Sequence, residues 1–187
     1  MSGLGIPVQE GGSMSSDIHK NIAVIIEYGK DFEEQILKGR INALTGIDVK
    51  VDEVCLTGTH EGMFPIDDYM YFNLIKMLSS IDGILKNKRS IIRYSNVPFD
   101  FILEMSGKNV VNVGFYDFNG KSYNPNIPDE GLPVSLDALV VEFIRVAKEF
   151  LNRALSMNPK LTDTDEVKEL RIAIEKAEKS YQEFFSN

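Results

Sequence analysis

The chain has 187 residues, 43% of them hydrophobic and 26% charged, enough to build one sizeable core and no long disordered polyelectrolyte. Its single cysteine excludes a disulfide framework within one chain and a four-thiolate zinc site. A formal net charge of -8 argues against a general nucleic-acid or anionic-membrane binder, which needs clustered basic charge.

Residues 1–17 read as a Gly-rich leader, because only Leu4, Ile6 and Val8 could pack against anything and the remainder is small or polar. The start lacks the charged and apolar regions of a secretory signal, and no apolar run approaches the roughly 18 residues of a spanning helix. A cytoplasmic protein without membrane contact is expected. Residues 18–187 are then one α+β domain, with sheet and central helix in 18–123, a loop in 124–134 and a helical hairpin in 135–187.

Ile22 to Tyr28 is β-rich and bounded by Asn21 and Gly29, the pattern of a buried strand. The stretch 31–44 fits two readings. Phe32, Ile36 and Leu37 mark a helical face stopped by Gly39, while Ile36 and Lys38 also begin a strand-like alternation. From Asp48 to Leu56, Val49 and Val51 alternate with Lys50 and Asp52, a half-buried strand with an irregularity near Glu53. Residues 57–62 have loop composition. Pro65 suits the first position of a helix reaching about Asn87, its apolar stripe running through Ile66, Met70, Leu74, Met77, Leu78, Ile81 and Leu85.

Three strands follow, at 90–94, 99–105 and 110–118, joined by the turn 106–109 and followed by the hairpin signal Asn119-Gly120. They form an antiparallel meander. Residues 124–133, with three prolines and one glycine, read as an extended surface loop. A helix capped by Ser135 presents Leu136, Val140, Phe143, Ala147, Phe150, Leu151 and Ala154, and Asn158-Pro159 ends it. The last helix, capped at Thr162 or Thr164, carries a narrow seam of Val167, Leu170, Ile174, Ala177, Tyr181 and Phe184. The seam suits an antiparallel hairpin with the preceding helix, or alternatively a homodimer.

Little catalytic chemistry is visible. The two histidines are His19, next to the leader and expected to face solvent, and His60, on a loop five residues after Cys55. Cys55 with His60 could make a nucleophile and base, and His60 with Glu61 half a metal site, but sequence fixes no orienting group for either. Phosphate-loop, serine-elbow and zinc-helix motifs are missing. Lys86, Lys88, Arg89 and Arg93 are too few, and lack interleaved aromatic residues, for a nucleic-acid surface. Asp48 and Asp52 share one side of their strand as a solvated face would.

The expected fold is α+β, a meander of four to five antiparallel strands packed on the central helix and the C-terminal hairpin, without catalytic, metal or cofactor sites. The expected function is a non-catalytic acidic binder that captures or neutralises a basic protein, since acidic surface steers association with positive charge. Small immunity proteins and antitoxins that inhibit nuclease-like toxins share this size, charge and lack of chemistry, a likeness of class and of no motif. Candidate partner-binding residues are Tyr123, Asp129 and Glu130 on the Pro-rich loop, with Asp67 and Asp68 in the first turn of the central helix. Two alternatives are a self-assembling protein joined through the seam, and a carboxylate-dependent, metal-assisted enzyme with several buried acids in one concave site.

Overall fold

The computed structural model describes residues 18–19, 21–57 and 66–186. The leader, His60, Glu61 and Pro65 lie outside the described residues. The fold is α+β, with eight strands in two four-stranded antiparallel sheets and four helices among the described residues.

The first sheet is built by β1 (Ile22–Glu27), β2 (Leu44–Val51), β3 (Val54–Cys55) and β4 (Ile66–Tyr69). β1 pairs with one edge of β2, while β3 and β4 share the other, opposite Lys50–Val51 and Leu44–Ile47 respectively. Between β1 and β2 the ambiguous stretch resolves into a helix, α1 (Lys30–Leu37), followed by the start of β2. Its N-cap is Gly29; Asp31, inside the first turn, instead accepts the Leu44 amide at 3.2 Å. Gly39, at φ +84, ends the helix in a conformation that costs glycine little. The irregularity near Glu53 is a tight turn with Asp52 at φ 48, so the predicted strand is really a hairpin of β2 and β3.

Ile66 to Tyr69 corrects the sequence reading. It is a strand, and α2 begins only at Met70 (Met70–Leu85). Ile66 and Asp68 face inward while Asp67 and Tyr69 face out, a period of two. A charged residue at one inward position hid that alternation behind the helical spacing of the residues that follow. Met70, Leu74, Met77, Leu78 and Ile81 then form the expected buried stripe of α2.

The second sheet is a meander of β5 (Ser90–Arg93), β6 (Phe99–Gly107), β7 (Val110–Asp117) and β8 (Leu132–Ser135), in that order. β8 was expected to be loop. Pro133 is tolerated because β8 is the last strand of the meander and needs no amide from it. Its outer side is bridged by His19, whose amide donates to the Pro133 carbonyl and whose carbonyl accepts from Ser135. His19 is thus held in place, not loose: its Nδ1 lies 2.6 Å from Asp52 Oδ2, and that bond holds the Asp52 carboxyl below its ordinary range. The Pro-rich segment before β8 is also tied down. Asn124 donates to the Cys55 carbonyl at 2.8 Å, and Ile127 is buried.

α3 (Leu136–Met157) starts at the expected Ser135 cap, which accepts from the Ala138 amide, and every inner-face residue predicted for it is buried. Phe143 and Phe150 are fully buried, each worth about 1.5–3 kcal/mol in removed apolar surface. A 3-10 turn (Pro159–Asp163) leads to α4 (Asp165–Phe185), capped by Thr164. α4 packs on α2 as well as on α3. Val167, Leu170, Ile174 and Ala177 are buried there, with Tyr181 and Phe184 partly so. The seam is therefore occupied within the chain, fully at its first four residues and in part at Tyr181 and Phe184. No helix among the described residues is long and apolar enough to cross a membrane.

α3 is also fastened to β1 by side chains. Glu142 accepts the Val24 amide at 2.6 Å, and Arg145 reaches the Val24 carbonyl at 3.3 Å while pairing with Glu142 at 2.6 Å.

Candidate functional site

The five predicted partner-binding residues fall into three environments. Asp68 is fully buried and turned inward from β4. Its Oδ2 accepts the Ser95 amide at 2.6 Å and its Oδ1 the Tyr69 amide at 2.7 Å, joining the first sheet to the turn after β5. A carboxylate bonded in this way to two backbone donors is a structural strut and presents nothing to a partner. Neither it nor Asp67 lies in the first turn of the central helix as expected, because both are on a strand.

Asp67 is exposed on the outer face of the first sheet. It flanks Gly46, with Glu27 on the other side. A Cβ added at Gly46 would stand 3.2 Å from Glu27 Cβ and 3.4 Å from Asp67 Oδ1. With Lys30 and Asp31, these residues line an open groove of about 420 Å³ at the start of α1. Asp48 belongs to the same face, next to Gly46 along β2, yet it is only 2% exposed and its Oδ1 has no hydrogen-bond partner. Burial, then the Glu27 carboxylate, push the Asp48 carboxyl above its ordinary range, with Lys50 pulling the other way. The expectation of a solvated Asp48 is thereby corrected. Tyr123 is half-buried near this carboxylate, and its ring meets Phe99 edge-on at 4.5 Å. Burial, then Asp48, raise the Tyr123 phenol.

Asp129 and Glu130 sit elsewhere, over the outer face of the second sheet. They border a cavity of about 120 Å³ whose other walls are Arg89, Ile102, Glu104, Asn112, Tyr116 and Gly120. Three carboxylates against one guanidinium leave two negative charges. Arg89 approaches Glu104 at 3.8 Å, with both side chains more than half exposed, the kind of pair that contributes little stability. Neither Asp129 nor Glu130 joins a salt bridge among the described residues.

The residue that sequence reasoning missed here is Tyr116. It is 7% exposed and lies back across its own strand. A Cβ on Gly114 would stand 2.5–2.7 Å from its hydroxyl and ring, and one on Gly131 would stand 3.0 Å from the hydroxyl and 2.6 Å from the Val113 carbonyl oxygen. Gly131 also holds φ +83. Two glycines, seventeen positions apart in sequence, thus make the seat of one phenol. Burial, then Asp129 and Glu130, push the Tyr116 phenol up, Arg89 opposes them, and Glu104 adds to the rise. The only signal in the sequence was the gap at Gly114 within an otherwise large-residue strand.

At the tip of the adjoining turn Phe118 is 76% exposed, held there by Asp117, whose Oδ1 accepts the Asn119 and Lys121 amides at 2.8 and 2.9 Å. Ile91 is exposed on β5 of the same sheet. Large exposed apolar side chains are what protein interfaces use as anchors.

Of the remaining candidates, Cys55 is half-buried at the end of β3, its carbonyl engaged by Asn124. Among the described residues no three His, Cys, Asp or Glu side chains come together as a metal ion would require. No family model matches the chain, and neither a curated protein nor a solved structure matches it.

Proposed function

We propose that this protein is a non-catalytic acidic binder that captures a basic protein, in the manner of an inhibitor of a toxin, through the outer face of its second sheet. The observation that carries this reading is an exposed Phe118 on the turn whose Gly120 lines the cavity bordered by the unpaired carboxylates of Asp129 and Glu130. The aromatic side chain supplies apolar area, and the carboxylates supply long-range attraction for a positive surface. A net charge of -8 extends that attraction beyond the contact itself. Asp67 and Glu27, on the first sheet, add to the field without being part of the contact.

The test is retention of partners on the immobilised protein from lysate of its source cells, at low and high salt. A single stoichiometric basic protein is expected, released by salt and lost from the Phe118→Ala and Asp129→Asn/Glu130→Gln variants. Recovery of the bait alone at both salt concentrations, or a partner held equally by the variants, overturns the reading.

A further inference from the structure

The Tyr116 cavity has a feature that surface acidity alone does not provide. Its phenol is more than nine-tenths buried, is seated by Gly114 and Gly131, and its hydroxyl meets no hydrogen-bond partner among the described residues. The phenol lines a small cavity bordered also by Glu104, Asp129 and Glu130. A space of about 120 Å³ admits a few waters or one small polar head group and is too small for a nucleotide or a peptide backbone turn.

Resting on the reading given above, we propose that this cavity is a socket for one cationic side chain of the partner, a lysine or arginine head group. The ammonium or guanidinium donates to the Tyr116 hydroxyl and to the carboxylates of Asp129 and Glu130. Its aliphatic stem lies along Ile102, which is half-buried at the cavity floor. Charge-assisted bonds of this kind are shorter and about twice as strong as neutral ones. Arg89 is the competitor already present. Its exposed, 3.8 Å contact with Glu104 is weak enough to be displaced, and its charge opposes the incoming cation.

The full chain, labelled with ¹⁵N, is titrated with N-acetyl-arginine amide and N-acetyl-lysine amide, with N-acetyl-glutamine amide as the uncharged control. The amides of Gly120, Glu130 and Gly131 report the cavity. Both cations are expected to give saturable shifts there and the glutamine derivative none. Asp129→Asn/Glu130→Gln weakens binding about tenfold or more, as expected for losing charged acceptors. Tyr116→Phe keeps the ring in its seat and weakens binding severalfold, whereas Arg89→Gln tightens it, a change that a purely structural role for these residues would not produce. Shifts that fail to saturate, a glutamine derivative that binds as well, or variants indistinguishable from the parent overturn the socket. If the socket fails while a basic partner is still retained in a salt-sensitive complex, the function proposed above stands without it. Binding of the amides with no basic partner in the cell leaves the socket and removes that function.

Discussion

β4 and the loop before β8 each carry two neighbouring acidic residues, and the fold treats them in opposite ways. On β4 the strand period sends Asp67 outward and Asp68 inward, where two backbone amides receive its carboxylate. Before β8, Asp129 and Glu130 both remain exposed, bordering the cavity that the Tyr116 phenol lines. Composition cannot tell these pairs apart. What separates them is whether the surrounding backbone offers donors to the carboxylate, and that depends on strand register.

The largest expected effect breaks the comparison at β4. Asp68→Ala leaves the Ser95 and Tyr69 amides without their acceptor and should lower unfolding free energy by about 2–3 kcal/mol in urea titration. Cation binding at the Tyr116 cavity should be unchanged in the folded variant. Gly131→Ala comes next. It forces a side chain into φ +83 and against the Val113 carbonyl, costing about 1–2 kcal/mol, and it displaces the Tyr116 hydroxyl, so thermal stability and cation binding should fall together.

Asp48→Asn tests a third carboxylate, buried without a full set of partners. A raised folded-state pKa means that the native protein holds the Asp48 proton more tightly than the unfolded chain does. Stability therefore declines as pH rises from the unfolded carboxyl range through the folded value. The variant should unfold at a higher temperature than the parent at neutral pH, and the advantage should vanish in acid, where both forms are neutral. The smallest change in stability is expected for Asp129→Asn/Glu130→Gln, within about 0.5 kcal/mol of the parent, despite its loss of partner and cation binding. A large destabilisation there would mean that this pair, like Asp68, belongs to the framework.

Much of the α+β architecture was legible. β6 and β7 announce themselves through period-two alternation, Phe101 and Leu103 inward and Glu104 outward, and α3 and α4 through Ser135, Thr164 and their apolar stripes. β4 and β8 were hidden because each is four residues long and carries a residue that argues against a strand, Asp68 in one and Pro133 in the other. Without them the chain reads as one sheet and not two. The candidate site was legible only at its rim. Asp129 and Glu130 stand out as charges in a Pro-rich loop, but the phenol they surround is placed by glycines on different elements, and such a juxtaposition has no local signature.

The tie between α3 and β1 has a consequence for how copies of this protein behave beside one another. β1 is the outermost strand of its sheet, paired on one side only. Such a strand can template the addition of a foreign strand, which begins by matching open amides and carbonyls. At Val24 both groups are already taken, the amide by Glu142 and the carbonyl by Arg145. A strand arriving edge-on from another molecule meets, at Val24, a carboxylate and a guanidinium bonded to each other where it needs an open amide and carbonyl. The helix that closes the core thus also makes the sheet end where it does.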